Sequence, residues 1–268
     1  MDVYQRNNIN VEGSGSKTML LAHGFGCDQN VWRFIVPAFA DEYRVVLFDH
    51  VGAGKSDLNA YSRQKYDRLE GYAGDVLEII DAANARPAIF VGHSVSAVIG
   101  ILAASMRPEA FSCLILVGPS PCYLNTGDYV GGFSQDDINA LLSTLESNYL
   151  GWSKITAPMI MGNADRPELA EELEESFCRT DPDIAKHFAR VTFLSDNRQD
   201  LSALKKPTLI LQCSEDIIAP DCVGEFVHNR ISQSKLVRLT ATGHCPHLSA
   251  PDETVTAIRK YLSEYCGQ

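Results

Sequence analysis

Six short runs, at 18–22, 44–49, 88–91, 113–117, 208–213 and 235–240, are mostly continuous in apolar and β-branched residues. A weaker run sits near 9–11. Such runs suit strands of a parallel sheet covered on both faces. Between them, longer segments carry apolar residues at helical spacing, at 29–40, 69–83, 95–107, 220–229 and 252–265. The alternation predicts an α/β fold with a mostly parallel central sheet flanked by helices and ligands at the carboxyl ends of the strands.

One block breaks the rhythm. No strand pattern occurs from about Cys122 to Arg198. Ser134 is placed to cap a helix carrying Ile138, Leu141, Leu142 and Leu145, and Asp181-Pro182 reads as a cap followed by a first-turn proline. The segment 167–177 is helical in pattern and strongly acidic, and its run 168–175 reads as a solvated face. The expectation is a core of 1–121 and 199–268 with a four-helix cap, 122–198, inserted between two strands.

The segment 88–100 reads Ala-Ile-Phe-Val-Gly-His-Ser-Val-Ser-Ala-Val-Ile-Gly. It joins an apolar strand to a small-residue helix, with Ser94 at the hinge. A serine on a sharp strand-to-helix turn presents its hydroxyl at the positive end of the new helix. Ser96 stands where the usual Gly-x-Ser-x-Gly pattern has its last glycine.

A serine hydroxyl needs a base, and the base needs a partner that fixes its tautomer. Strand 208–213 is followed by Ser-Glu-Asp-Ile-Ile-Ala-Pro, so Asp216 is the preferred acid, with Glu215 and Asp221 as substitutes. Strand 235–240 is followed by Ala-Thr-Gly-His-Cys-Pro-His, which makes His244 the preferred base and His247 its competitor. The order serine, acid, histidine matches a sheet of this type. Oxyanion donors are expected from the backbone N–H of Val95 and, through the glycine-flanked loop His23-Gly24-Phe25-Gly26, of Phe25. His23 and His93 read as structural hydrogen-bonding residues, and Cys245 as a pocket-lining hydrophobe.

Composition narrows the partners. The 268-residue chain is 45% hydrophobic with net charge −11, which disfavours nucleic acid, anionic membranes and phosphorylated substrates. The eight cysteines, at 27, 113, 122, 178, 213, 222, 245 and 266, contain no Cys-x-x-Cys pair and read as reduced thiols. The first residues, Met1 to Asn8, carry no apolar signal core, so a cytoplasmic protein is the expectation. His244-x-x-His247 lacks further ligands at metal spacing, and Gly52-x-Gly54 lacks the rest of a phosphate loop. No metal or cofactor is expected.

Five segments, His-Gly-Phe-Gly-Cys-Asp-Gln (23–29), Leu-Phe-Asp-His-Val-Gly-Ala-Gly (47–54), Gly-His-Ser-Val-Ser-Ala (92–97), Gly-Pro-Ser-Pro-Cys-Tyr-Leu-Asn (118–125) and Gly-His-Cys-Pro-His-Leu-Ser (243–249), resemble the α/β-hydrolase family. Within it they are similar to the bacterial RsbQ stress-signalling hydrolases and the plant receptor hydrolases for strigolactones and karrikins. The likeness extends into the cap at 129–133 and 148–152. The resemblance implies a triad of Ser94, His244 and Asp216, oxyanion donors at Phe25 and Val95, and a four-helix lid over an apolar pocket. It implies pocket-lining positions for Phe133, Trp152 and Phe193. Ser96 resembles the plant branch.

The resulting expectation is a serine hydrolase acting on a small, neutral, mostly apolar ester or lactone. The alternative is a ligand sensor whose slow hydrolysis serves signalling through a protein partner, of phosphatase type in the bacterial relatives, with the acidic helix around Glu172 as one docking face. A triad that cleaves carbon–carbon bonds would use the same residues.

Overall fold

The computed structural model describes residues 2–265. Its seven strands are β1 (Asn10–Glu12), β2 (Lys17–Ala22), β3 (Tyr43–Leu47), β4 (Ala88–His93), β5 (Phe111–Val117), β6 (Thr208–Gln212) and β7 (Ser234–Arg238). They form one sheet in the order β1-β3-β2-β4-β5-β6-β7. β1 runs antiparallel to β3 and every other pairing is parallel. The strand ends fall within two residues of the expected ones.

Side chains along a strand point alternately to opposite faces. Met19, Leu21, Ile89, Val91, Ile115 and Leu211 join the core on one face. Leu20, Ala22, Phe90, Leu114, Leu116 and Ile210 join the core on the other. Both faces are buried, which explains why the strands read as unbroken apolar runs.

The helices outside the 122–198 block are α1 (Val3–Arg6), α2 (Leu69–Ala82), α3 (Val95–Met106), α8 (Asp221–Arg230), α9 (Pro246–Ser249) and α10 (Pro251–Tyr265). α3 is small and apolar because it is buried nearly throughout. Gly100 allows this: a Cβ there would lie 2.2 Å from the Phe90 ring.

The expected helix at 29–40 is not one helix. Two 3-10 turns, Gln29–Trp32 and Val36–Ala38, replace it. Pro37 has no N–H for an i→i−4 bond, and the segment closes i→i−3 bonds, Ile35 to Trp32 and Ala38 to Ile35, before a single i→i−4 bond, Ala40 to Val36.

Four helices lie between β5 and β6: α4 (Gln135–Ser147), α5 (Tyr149–Met161), α6 (Pro167–Arg179) and α7 (Pro182–Phe193). Ser134 and Asp137 form a capping box for α4, and the Asp181 carboxylate accepts two N–H groups at the start of α7. Their apolar sides, through Ile138, Trp152, Phe177 and Phe193, continue the core of one sheet face. The acidic face of α6 is not wholly free in solvent, because both oxygens of Glu172 accept from Arg33 at 2.6 Å.

The chain moves from β2 to β3 on one side of β2, then returns to β4 on the other. Strand order reverses between β2 and β4, where open α/β sheets bind ligands.

Candidate active site

Ser94 ends β4 and starts α3 with φ +57° and ψ −123°. A non-glycine residue holds such a conformation at about 1–3 kcal/mol of strain, so the surroundings must enforce it. The Ser94 N–H donates to the Val117 carbonyl at 2.8 Å. Gly92 admits the close return of the chain, since a Cβ there would lie 2.5 Å from the Ser96 carbonyl oxygen. Val95 opens α3, so its N–H belongs to the first turn, which lacks intrahelical acceptors.

His244 follows β7 on a loop bent at Gly243, φ +76°. Its Nε2 lies 2.8 Å from Ser94 Oγ, and its Nδ1 lies 2.7 Å from Asp216 Oδ2. The carboxylate can only accept from Nδ1–H, so Nε2 is the bare nitrogen and accepts the hydrogen bond of the Ser94 hydroxyl. The other Asp216 oxygen accepts the N–H groups of Ile218 and Ala219 at 2.9 and 3.0 Å, which aim the carboxylate at the ring. Serine, histidine and aspartate are all buried. Glu215 is exposed, and Asp221 pairs with Arg238 on the surface.

His93 and His247 stand outside this relay. His93 Nε2 donates to the His244 carbonyl at 2.8 Å, fixing the backbone of that loop. His247 lies under it, its ring 4.7 Å from Trp32 and 4.4 Å from His93. Burial first, then the neighbouring His244, depresses His247 to about 3, so the ring stays neutral. Burial likewise lowers His93.

The loop after β2 passes directly over Ser94. A Cβ on Gly24 would lie 2.7 Å from His93 Nδ1 and 3.2 Å from the Ser94 Cβ, so a side chain there would force the His93 ring to shift. Phe25 follows, its ring among Trp152, Phe177, Phe188 and Phe193 at centroid distances of 5.6–6.3 Å.

A cavity of about 30 Å³ lies over Ser94 and His244. Phe25, Phe193 and Cys245 line it, together with Cys27, Tyr123 and Thr192. Ile160, Leu173, Phe177 and Ile218 supply further apolar wall. Phe133 and Trp152 stand behind this wall, Phe133 against Phe193 at 6.4 Å and Trp152 against Phe177 at 5.2 Å. Among the described residues the lining holds no Lys, Arg, Asp or Glu. Burial pushes the Cys27 thiol up to about 12 and raises Cys245 as well, so both are neutral apolar surface. A larger groove of about 710 Å³ runs past Tyr129 and Arg230, but no histidine lines it.

Sequence reasoning missed Cys27, Tyr123, Thr192 and Phe177 at the cavity. Helical periodicity marks Leu173 and Phe177 as inward-facing, but an inward residue of α6 can meet a neighbouring helix or the cavity. Cys27, Cys122, Cys178, Cys213, Cys222 and Cys245 are free thiols, and Cys266 lies outside the described residues. Among the described residues, no helix is long and apolar enough to cross a membrane.

Residues 17–251 match the family described as the alpha/beta hydrolase fold. A karrikin insensitive 2 receptor of Petunia hybrida is 38% identical over 261 residues, 97% of this chain and 97% of that protein. A strigolactone esterase of Arabidopsis thaliana is 38% identical, covering 97% of this chain and 98% of its own. A solved hydrolase of Oleispira antarctica superposes with a TM-score of 0.95 at 43% identity, covering 98% of this chain and 96% of that one.

Proposed function

The chain belongs to the α/β-hydrolase family, and from that premise we propose that it is a serine hydrolase cleaving a small, neutral, mostly apolar ester or lactone. The observation that carries this reading is the unbroken hydrogen-bond relay from Ser94 Oγ through both nitrogens of His244 to Asp216. Ser94 attacks the carbonyl carbon while His244 Nε2 takes the hydroxyl proton. Asp216 holds the ring and balances its positive charge. The N–H groups of Phe25 and Val95 face the oxyanion of the tetrahedral adduct. His244 then returns its proton to the leaving alkoxide, and the acyl group stays on Ser94. Water, deprotonated by His244, attacks the acyl carbon; the acyl–Oγ bond then breaks, His244 returns the proton to Ser94 Oγ, and the acid leaves.

The lining supports a neutral ligand, because it offers an ionic group no counter-charge. The cavity is also far smaller than the ~300–1,000 Å³ of drug-sized sites. An ester of more than a few heavy atoms therefore needs the ring cluster of Phe25, Phe177 and Phe193 to open. The cap, residues 122–198 in this reading, acts as the lid that excludes water.

The test is labelling of Ser94 by a fluorophosphonate, competed by a panel of esters and lactones. Labelling at Ser94 that the Ser94→Ala variant abolishes is the expected result. Absence of labelling, with unchanged ester turnover by Ser94→Ala, rejects the reading.

A second reading has its own observation: the backbone N–H of His244 is bound to the cap, to the Ile160 carbonyl. A ligand that shifts the cap would reach the catalytic loop directly, as a sensor coupled to a signalling partner requires. A kcat far below ~1 s⁻¹ with ligand-dependent melting shifts favours the sensor. Fast multiple turnover without such shifts favours the plain enzyme.

A further inference from the structure

Ser96 occupies the position where the nucleophile turn ordinarily has glycine. It is fully buried, and its hydroxyl is in use on both sides. Ser96 Oγ donates to the His23 carbonyl, and His50 Nε2 lies 2.7 Å from the same oxygen. A carbonyl can only accept, so the serine proton points to His23 and the His50 ring must donate its Nε2–H. The His50 ring is fully enclosed, and burial holds it neutral, which leaves it one N–H to give.

His23 and His50 close a second set of bonds with Gly24. The His50 backbone N–H donates to His23 Nε2 at 3.1 Å. That fixes the His23 tautomer with its proton on Nδ1, which donates to the Gly24 carbonyl at 2.8 Å. The Cys27 N–H reaches the Gly24 carbonyl as well, at 3.3 Å.

A peptide unit is planar and trans, so its N–H points opposite its C=O. The Gly24 carbonyl and the Phe25 N–H belong to one such plane. Bonds that hold Gly24 O therefore aim the Phe25 N–H. The His23 carbonyl belongs to the preceding plane, and Ser96 holds that one. Two consecutive peptide planes in front of Phe25 are thereby clamped, one by a hydroxyl that glycine would not supply.

We propose that Ser96, set by His50, is a positioning residue that holds the loop 23–25 so that the Phe25 N–H faces the oxyanion. The inference rests on the hydrolase reading for the role of that N–H, but the clamp itself stands apart from catalysis. Ser96 does not line the cavity over Ser94. It acts through the His23–Gly24 backbone.

The test uses Ser96→Ala and Ser96→Gly in the full chain, with Ser96→Thr restoring a hydroxyl and His50→Phe removing the N–H donor. The first readout is hydrogen–deuterium exchange of the peptide spanning 21–27. Exchange there should rise about 10-fold in Ser96→Ala and Ser96→Gly, less in His50→Phe, and return toward wild type in Ser96→Thr. The second readout compares a trifluoromethyl ketone, which forms a tetrahedral oxyanion on Ser94, with the matching methyl ketone. Ser96→Ala should weaken the first about 10-fold and the second less than 3-fold, as loss of geometry at a donor does. Unchanged exchange at 21–27 in both hydroxyl-free variants overturns the clamp, even if the melting temperature falls. Raised exchange with equal loss for both ketones overturns the oxyanion role. If wild type forms no adduct with the trifluoromethyl ketone, the hydrolase reading fails, and exchange alone decides whether Ser96 holds the loop.

Discussion

The backbone N–H of His244 donates to the Ile160 carbonyl at 2.9 Å. One residue belongs to the loop after β7 and the other to the last turn of α5. Asn163 reinforces the joint, its side-chain amide donating to the carbonyls of Met161 and Thr242. Helix C-termini leave carbonyls without intrahelical donors. Here a loop carrying the proposed general base supplies one.

That joint has little room. A Cβ on Gly243 would lie 2.0 Å from the Met161 carbonyl oxygen, at a residue whose φ is +76°. Gly243→Ala should therefore destabilise the fold by roughly 1–3 kcal/mol and lower kcat at least 10-fold through a displaced imidazole. Chemical denaturation and ester kinetics on the same preparation check both. Wild-type turnover in a destabilised variant would separate the joint from the base.

Ser94→Ala should lower kcat by about 10⁶-fold, as loss of the nucleophile does in other triads. Purified protein assayed with a p-nitrophenyl ester gives the comparison, and circular dichroism confirms an intact fold.

Asp216→Asn should lower kcat by about 10⁴-fold. An amide placed like the carboxylate can donate to Nδ1, which moves the ring proton to Nε2 and removes the acceptor for Ser94. The pH–rate profile of the residual activity should rise toward alkaline pH. A loss below 10-fold would return Glu215 to consideration.

Stability should fall as pH drops below about 6.5. His50, His93 and His247 are all buried with folded-state values lowered, His247 to about 3. In the unfolded chain each binds a proton near pH 6.5, while the folded state does not. The unfolded state therefore gains protons first, and the folded state loses up to about 1.4 kcal/mol per pH unit for each ring between 6.5 and its folded value. Above pH 7 these rings contribute no slope. Urea midpoints from pH 8 to pH 5 measure this, and a flat profile across that window would contradict the burial of all three.

Thiol labelling should divide by burial. Cys178 and Cys222 are exposed, whereas Cys27 and Cys245 lie in the cavity wall with thiols held protonated. Iodoacetamide at pH 8 should modify the first pair within minutes and spare the second in native protein. Peptide mass spectrometry resolves the four sites.

Much of this site is legible in the chain because strands announce themselves. An apolar run that ends in Gly-His-Ser or is followed by Ser-Glu-Asp places its next residues at the carboxyl edge of the sheet. Ser94, Asp216 and His244 each follow such a run, and the sheet brings them to one edge whatever the intervening length. The segment 29–40 shows the opposite case. Its apolar spacing is helical, but one missing N–H at Pro37 favours 3-10 turns packed by Trp32 and Ile35.

By itself the sequence determined the α/β alternation, the inserted helices and the order of serine, acid and histidine, since these depend on local periodicity and on turns that few residues can make. Tertiary structure alone decided which acid meets His244, how small the cavity is, and what Ser96 does. Those depend on distances between segments 28 to 150 residues apart. A hydroxyl reads the same in a sequence whether it faces solvent or bridges two buried loops. Only packing tells its partners, because burial leaves a polar atom no water to fall back on.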